Sequence, residues 1–174
     1  MMPGREGMGE RTRNNLYEAF VGEAKAHIRL LAFARKAEEE GYSQIAKLFR
    51  AIAAAEEVHA AGHLRVLGEA IVKSTEENLA FSFESETTVN EVTYPQFIIE
   101  AEEEGERAVV LSFGYARDVE EGHAGLYKKA MEHMLRDEAS DYYVCGVCGY
   151  TSDGVLPEEC PICGAKSEAL RKVE

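Results

Sequence analysis

Two glutamate and histidine pairs with the same spacing are the residues of this sequence best suited to metal chemistry. Glu56 and His59 form one Glu-x-x-His pair, and Glu120 and His123 form the other. Residues three apart on a helix share a face, so each pair offers a carboxylate oxygen and an imidazole nitrogen to one point. One such pair is weak evidence in a glutamate-rich chain, whereas two at matching places in a repeat indicate a metal site.

The two pairs belong to an internal repeat with a constant offset in sequence. The segment Ala37-Glu-Glu-Glu-Gly41 recurs as Ala101-Glu-Glu-Glu-Gly105, and Phe49 recurs as Phe113. Both Glu-x-x-His pairs obey the same offset. A glycine placed to end a helix in each copy predicts a duplicated helical hairpin.

Each pair needs a partner carboxylate from the preceding helix of its hairpin. Glu23 precedes Gly41 by nearly the same interval as Glu86 precedes Gly105, so antiparallel helices would bring both to the level of the pairs. Four carboxylates would balance the charge of two ferrous ions. The six residues match the ferritin-like di-iron pattern of two single glutamates and two Glu-x-x-His pairs: Glu23, Glu56, His59, Glu86, Glu120 and His123.

The elements that must position these residues are helices. Up to about Asp137 the chain is rich in Ala, Leu, Glu, Lys and Arg, with apolar residues at spacings of three and four. The third helix is the weakest, and a kink or break near Pro95 is expected. Four long helices are predicted within residues 14–139, at Asn14–Glu40, Tyr42–Leu67, Glu76–Glu104 and Glu106–Asp137.

The remaining segment, residues 140–174, contains all four cysteines. Cys145 and Cys148 form one Cys-x-x-Cys knuckle, and Cys160 and Cys163 form another, with residues 149–159 between them. Four thiolates at this spacing predict a tetrahedral site for iron or zinc, and the spacing alone leaves both metals open. So short a segment needs a metal to fold.

Composition narrows the classes of partner. The chain has 174 residues, 19 Lys and Arg against 32 Asp and Glu, a net charge of −13 and 45% hydrophobic residues. Such an acidic chain is not suited to nucleic acid or an anionic membrane surface, which need clustered positive charge. No apolar run approaches the ~18 residues of a membrane span. Residues 1–13 read as a flexible tail rather than a signal peptide, and a cytoplasmic protein is expected.

Together these motifs resemble the rubrerythrin family from about Asn15 to Glu174. The matching stretches are Ala19-Phe-Val-Gly-Glu23, Ala37-Glu-Glu-Glu-Gly41, Glu56-x-x-His59, Ser85-Glu86, Tyr94-Pro95, Glu120-x-x-His123 and the two cysteine knuckles. The resemblance implies an all-α protein, a ferritin-like four-helix bundle followed by a small rubredoxin-like domain. It also implies a dimer.

The function implied by the resemblance is that of a non-haem peroxidase of anaerobes and microaerophiles, protective against oxidative stress. Hydrogen peroxide would be reduced to water at the di-iron site, with electrons from an external NADH-dependent reductase or a rubredoxin passing through the four-cysteine iron. The six Glu and His residues would bind the iron pair and Cys145, Cys148, Cys160 and Cys163 the single iron. Tyr94 matches a family tyrosine near the di-iron site.

Two positions depart from the family pattern and keep other functions open. Val89 stands where the family commonly has a second glutamate, three residues after Glu86, and Leu30 stands where it commonly has tyrosine. Without that carboxylate the ligand set looks more like that of ferritin and bacterioferritin, so a ferroxidase or oxygen-reducing site is one alternative. An iron-binding or electron-transfer protein without enzymatic activity is another.

The connection between the hairpins bears on assembly. In a ferritin-like bundle the chain must cross about 30 Å between Gly68 and Asn78, and ten extended residues span at most about 35 Å. So taut a connection predicts a homodimer, with exchange of hairpins between subunits as one arrangement. The remaining histidines nearest the site, His27 and His63, are assigned to supporting or surface positions.

Overall fold

The computed structural model describes residues 7–133 and 139–174, and the chain divides into two compact units, residues 1–73 and 74–174. Among the described residues the elements are α1 Glu10–Glu39, α2 Ser43–Leu67, α3 Thr75–Thr88, α4 Tyr94–Glu103, α5 Arg107–His133, β1 Tyr142–Cys145, β2 Thr151–Asp153 and β3 Leu170–Val173. The first helix begins at Glu10 rather than at Asn14. The predicted helix end at Asp137 and the first six residues of the predicted tail lie outside the described residues. No helix in the described ranges is long and apolar enough to cross a membrane.

Helices α1 and α2 form a hairpin whose fully buried seam is lined by alanine. Buried alanines lie on α2 at intervals of seven residues, which places them on one face. Side chains this small let two helices approach closely. The buried residues of the seam are Ala34 and Ala37 on α1 and Ala46, Ala53 and Ala60 on α2.

The turns of the two hairpins have the same geometry. At Gly41 φ is +83° and at Gly105 it is +77°, a left-handed conformation that favours glycine. In each turn the N–H of the residue after the glycine donates to the carbonyl oxygen of Ala37 or Ala101, at 2.8 and 2.9 Å. This is the hydrogen bond of a Schellman motif, and it confirms the glycine turns predicted from the repeat.

The helix that carries Glu86 is interrupted by one π-helical turn, Val89–Thr93, between α3 and α4. The N–H of Tyr94 donates to the carbonyl oxygen of Val89, five residues back. Pro95 has no N–H with which to continue the regular α-helical pattern. The break predicted near Pro95 is confirmed, and it takes the form of a π-helical turn.

The π-helical turn explains a change of offset within the repeat. His27 Nδ1 lies 2.8 Å from the carbonyl oxygen of Ala53, and Asn90 Nδ2 donates to that of Arg117 at 2.7 Å. These two hydrogen bonds are equivalent in the repeat. Asn90 follows His27 by 63 residues along the chain, whereas Arg117 follows Ala53 by 64. The second copy therefore has one additional residue after Asn90, and the π-helical turn accommodates it within the helix.

The four-cysteine segment is a three-stranded antiparallel sheet with strand order β2-β1-β3. Cys145 and Cys160 are 1% exposed, and Leu170 packs beside them. A core this small contributes little burial, so metal binding must supply much of the folding free energy.

The sheet contacts helix α5 of the same unit. Lys129 on α5 forms an ion pair with Asp153 on β2, and Asp153 also accepts a hydrogen bond from Ser140. At Gly149 an added Cβ would lie 3.9 Å from Val119 Cγ1 on α5. These contacts hold the loop between β1 and β2 against the helix that carries Glu120 and His123.

Candidate metal centres

The first unit brings three predicted ligands together. Glu23 projects from α1, and Glu56 and His59 project from α2. His59 Nδ1 lies 3.0 Å from Glu56 Oε2 and 3.9 Å from Glu23 Oε1. One ligating atom from each residue falls within 4.8 Å of the others, close enough for all three to bind one ion. We refer to these residues as the first trio.

The second unit repeats this arrangement. Glu86 comes from α3, and Glu120 and His123 come from α5. His123 Nδ1 lies 2.9 Å from Glu120 Oε2, and the three ligating atoms again fall within 4.8 Å of one another. We refer to these residues as the second trio. The His123 side chain is 26% exposed, whereas the His59 side chain is 58% exposed.

Each trio contains two carboxylates that share a hydrogen bond. Burial, followed by the hydrogen bond and charge of Glu120, raises the pKa of Glu86 to about 7. In the first trio the hydrogen bond with Glu56 raises the pKa of Glu23, and the hydrogen bond with His59 lowers the pKa of Glu56. Without a cation each pair therefore favours one shared proton, as two close carboxylates do.

The contacts of His123 assign the roles of its two nitrogens. Nε2 lies 3.3 Å from the carbonyl oxygen of Gly149 and 3.2 Å from Thr151 Oγ1. The Thr151 hydroxyl in turn donates to the Gly149 carbonyl at 3.3 Å. A carbonyl oxygen only accepts, so Nε2 carries the proton and donates it. Nδ1 then has a free lone pair, which is the form that binds a metal.

That tautomer makes the second trio fit a metal ion. The Nδ1 lone pair of His123 faces a carboxylate oxygen of Glu120 at 2.9 Å. Two lone pairs at this distance repel unless a proton or a cation lies between them. The donor set of carboxylate oxygens and imidazole nitrogen suits iron. The first trio offers the same donors.

Tyr94, the seventh predicted site residue in the bundle, lies at the start of α4. Its ring packs against Phe113 and Phe97, with ring centroids 5.8 and 6.4 Å away. Burial raises the pKa of Tyr94, and the negative charges of Glu120 and Glu86 raise it further. The phenol therefore keeps its proton at neutral pH and remains a hydrogen-bond donor beside the second trio.

The four cysteines form the closed site that their spacing predicts. Cys145 Sγ lies 3.7 Å from Cys163 Sγ, and Cys148 Sγ lies 3.5 Å from Cys160 Sγ. A tetrahedron with metal–sulfur bonds of about 2.3 Å has edges of about 3.8 Å, so the four sulfurs surround a space of the right size. Although burial opposes ionisation, backbone N–H groups of Cys148 and Val147 lower the pKa of Cys145 to about 7.

Two side chains that support the site were missed by the sequence analysis. Asn90 donates a hydrogen bond to the carbonyl oxygen of Arg117 on α5. The repeat could have indicated this role, because Asn90 occupies in the second copy the position that His27 occupies in the first. His27 itself, assigned to a supporting or surface position, holds the carbonyl of Ala53. Thr151 contacts His123 from a distant part of the chain, and nothing in the local pattern indicates that contact.

Comparisons with known proteins match both the helical part of the chain and the four-cysteine segment. The family model described as rubrerythrin matches residues 14–131, and that of the rubrerythrin rubredoxin-like domain matches residues 143–170. Rubrerythrin-2 of Clostridium acetobutylicum is 33% identical over an alignment of 175 positions, gaps included, that covers 92% of this chain and 95% of that protein. Nigerythrin of Nitratidesulfovibrio vulgaris is 35% identical over an alignment of 164 positions that covers 87% of this chain and 81% of the relative.

A solved structure is also similar. Nigerythrin in a partially reduced state superposes with a TM-score of 0.56 at 32% identity, covering 99% of this chain and 92% of the other. The trios lie within the matched bundle model, and the four cysteines lie within the matched rubredoxin-like model. Sequence, geometry and comparison therefore agree on the class of metal centres.

Proposed function

The chain belongs to the rubrerythrin family, and we propose that it reduces hydrogen peroxide to water at a di-iron site, with electrons supplied through its four-cysteine iron. The fold is that of the family, a ferritin-like helical bundle with a rubredoxin-like domain. Its metal centres are a di-iron carboxylate site and a four-cysteine site. An external reductase, NADH-dependent in the simplest scheme, or a rubredoxin would re-reduce the four-cysteine site.

The proposed di-iron site combines the two trios. Each provides two carboxylates and one imidazole, so together they balance two ferrous ions in charge and complete the ferritin-like ligand pattern. The proposed ligands are Glu23, Glu56, His59, Glu86, Glu120 and His123, with Cys145, Cys148, Cys160 and Cys163 for the single iron. When bound, the iron pair supplies two electrons and Lewis acidity, and the four-cysteine iron supplies electrons singly.

The residues of the chain contribute position and protons. Donation from His123 Nε2 to Gly149 fixes the ring so that Nδ1 faces the metal position. Tyr94 keeps its phenolic proton beside the second trio and can donate a hydrogen bond to an oxygen substrate. The π-helical turn places Glu86 opposite Glu120 despite the additional residue in its helix.

The observation that carries the proposal is the link between the two kinds of site. His123 of the second trio hydrogen-bonds the carbonyl of Gly149, the residue directly after Cys148. A metal ligand of one site is thus one hydrogen bond from the backbone next to a ligand of the other. Such a contact suits electron delivery, whereas a site that only stores iron has no need of it.

A second candidate function, ferroxidase or oxygen reduction, is favoured by Val89. The second trio contains no further carboxylate among the described residues, and Val89 begins the π-helical turn where the family commonly has a glutamate. A valine cannot act as an additional ligand. The two functions differ in the preferred oxidant.

A rapid-mixing experiment tests the proposal. The iron-loaded protein is reduced without oxygen, mixed with one equivalent of hydrogen peroxide, and followed through the ferric absorption of the four-cysteine site. We expect that absorption to return faster with peroxide than with O2. A faster reaction with O2 would favour the second candidate, and a site that stays reduced with both oxidants would leave an electron-transfer or iron-binding protein.

The ligand assignment is tested separately by Glu120→Ala. Removing this carboxylate should abolish iron binding by the di-iron site and leave the four-cysteine iron in place. Glu121→Ala is the matched control, because its exposed neighbouring side chain belongs to no trio. A Glu120→Ala protein with full iron content and turnover would refute the assignment.

A further inference from the structure

Each hairpin contains a side-chain hydrogen bond that crosses from one helix to the other beside its trio. In the first unit His27 Nδ1 on α1 lies 2.8 Å from the carbonyl oxygen of Ala53 on α2. In the second unit Asn90 Nδ2, within the π-helical turn, donates to the carbonyl oxygen of Arg117 on α5 at 2.7 Å. A carbonyl oxygen only accepts, so His27 Nδ1 also carries a proton and donates it. We refer to these two interactions as the cross-helix bonds.

The cross-helix bonds occupy the same place relative to the two trios. Each donor follows the single glutamate of its trio by four residues, and each acceptor precedes the glutamate of the Glu-x-x-His pair by three. The spacings are Glu23 to His27 and Ala53 to Glu56 in the first unit, and Glu86 to Asn90 and Arg117 to Glu120 in the second. Residues three or four apart are neighbours on one helical face. Each bond therefore lies one helical turn from the carboxylates of its trio, on both helices.

Histidine and asparagine can provide the same donor at this place. In both side chains the donating nitrogen is bonded to Cγ, so the N–H group lies at the same number of bonds from the backbone. The carbonyl oxygen of a helix has a second lone pair with which to accept it. The two copies thus differ in residue type and keep the hydrogen bond, which indicates that the donor is the feature that matters.

Apolar packing alone leaves the register of each hairpin weakly defined. The seam of the first hairpin is lined by alanine, and the fully buried residues of the helices in the described part of the second unit are Ala101, Val119 and Ala124. Burial of such small side chains is not directional. A slip of one residue would move a glutamate by about 1.5 Å along its helix and rotate it by about 100°, whereas a metal site requires its ligands within about 0.5 Å.

The second hairpin shows why the turn cannot set the register by itself. Gly41 follows His27 by 14 residues, whereas Gly105 follows Asn90 by 15. Both acceptors follow their glycine by 12 residues. Measured from its turn, Glu86 is therefore one residue further away than Glu23. The cross-helix bond of Asn90 lies on the trio side of the additional residue, so it aligns Glu86 with the opposite helix despite that difference.

We infer that His27 and Asn90 are positioning residues of the metal centres: each fixes the register of its two helices, so that the carboxylates of the adjacent trio are held at metal-binding distance before a metal arrives. The inference rests on the ligands proposed above. It assigns a role to two side chains that lie outside all three groups of candidate ligands.

Three substitutions of His27 test the position of the donor. His27→Leu removes it, His27→Gln moves it one bond further out, and His27→Asn keeps it at the δ position. With zinc in the four-cysteine site, binding of ferrous iron alone is measured by equilibrium dialysis without oxygen. We expect about tenfold weaker binding for the leucine and glutamine variants and nearly wild-type binding for the asparagine variant. Wild-type affinity in His27→Leu, or no rescue by His27→Asn, would overturn the inference for the first trio.

Asn90→Leu and Asn90→His make the same comparison in the second unit, and Thr87→Val is their matched control. The Thr87 hydroxyl donates to the carbonyl oxygen of Phe83 at 2.8 Å, within its own helix. Thr87→Val thus removes a half-buried hydrogen bond to a carbonyl without affecting the register between helices. We expect weaker iron binding in Asn90→Leu, recovery in Asn90→His and no change in Thr87→Val.

Urea unfolding of the same iron-free proteins separates positioning from general stability. Asn90→Leu and Thr87→Val each lose one side-chain hydrogen bond, so we expect similar losses of stability but unequal iron affinities. The Mössbauer quadrupole splitting of the iron that still binds should change only in Asn90→Leu, because only there the ligand geometry is altered. Iron affinities that fall in step with stability, with unchanged spectra, would overturn the inference. Binding is read without an oxidant, so a protein that binds iron as expected but does not reduce peroxide would refute the proposed function alone.

Discussion

At the scale of single residues, His123 is the side chain that links the second trio to the segment that carries the four cysteines. Its Nδ1 faces Glu120 within the second trio, and its Nε2 faces Gly149 and Thr151 of the rubredoxin-like domain. Partners of this kind fix the tautomer and orientation of a metal-binding histidine and commonly matter almost as much as the ligand. Thr151 is therefore a positioning residue, outside the three groups of candidate ligands.

The variant Thr151→Val tests this role. Valine has nearly the shape of threonine and no hydroxyl, so His123 should lose one of its two acceptors while the Gly149 carbonyl remains. We expect about tenfold weaker iron binding at the di-iron site and slower reoxidation of the four-cysteine iron by peroxide. Thr151→Ser, which keeps the hydroxyl, should restore both; failure of serine to do so would show that Thr151 acts only through packing.

The shared proton of the second trio predicts a pH dependence. The pKa of Glu86 is raised to about 7 in the folded protein from its ordinary 4.5, so without iron the folded state binds more protons than the unfolded state between these values. Stability conferred by that proton is present at low pH and is lost as pH rises through 7. Glutamine resembles the protonated carboxyl and cannot ionise, so Glu86→Gln should stabilise the iron-free protein at pH 8 by on the order of 1 kcal/mol. The stabilisation should be smaller at pH 5.5, where Glu86 of the folded protein keeps its proton.

Urea unfolding of protein with zinc in the four-cysteine site and no iron measures this difference. Glu84→Gln, an exposed position on the same helix, is the control and should change stability equally little at both pH values. A Glu86→Gln protein that is less stable than wild type at pH 8 would contradict the raised pKa.

At the scale of elements, the repeat made most of the fold predictable. The constant offset, the two turn glycines and the Glu-x-x-His pairs predicted two equivalent hairpins, and the structure shows equivalent turns and trios. The cysteine spacing predicted the four-thiolate site in the same way. These features are local, because each depends on residues close together in the chain or on one helical face.

Other features could not be predicted because they depend on contacts distant in sequence or on a single additional residue. The link from Thr151 to His123 requires the rubredoxin-like domain to pack on α5. The π-helical turn was anticipated only as a break near Pro95, since residue type alone does not distinguish a kink from an insertion. The position of the one additional residue, after Asn90, follows only from the equivalent hydrogen bonds of His27 and Asn90.

The π-helical turn predicts unequal responses to two matched deletions. Val92 lies inside the turn and is 63% exposed, and Ile28 is its counterpart in the unbroken helix α1, 64% exposed. Deleting Val92 should convert the turn into α-helix and keep Glu86 in place. Deleting Ile28 should rotate Glu23 by about 100° and shift it by about 1.5 Å relative to the rest of its helix.

Iron analysis of the two proteins distinguishes these outcomes. We expect the Val92 deletion to retain the di-iron centre and the Ile28 deletion to lose it, with circular dichroism showing that both are folded. Loss of iron on deleting Val92 alone would mean that the π-helical turn itself positions Glu86, rather than merely accommodating a residue.

At the scale of the whole molecule, the two kinds of metal site differ in how much of the chain they draw on. The four cysteines lie within residues 145–163, whereas the six proposed di-iron ligands run from Glu23 to His123. After refolding from denaturant with iron present, we expect the four-cysteine site to be recovered before the di-iron centre, because contacts between residues distant in sequence form more slowly. Recovery of both sites at the same rate would contradict this order.

The spacing of the four sulfurs also has a consequence for how the protein is made. Zinc and iron both fit the space between Cys145, Cys148, Cys160 and Cys163, and either metal would hold Gly149 against His123. A zinc-filled molecule would therefore fold with its second trio held as before, yet zinc has no accessible second oxidation state through which to pass an electron. The ratio of zinc to iron available during synthesis then determines what fraction of correctly folded molecules can carry electrons through the four-cysteine site.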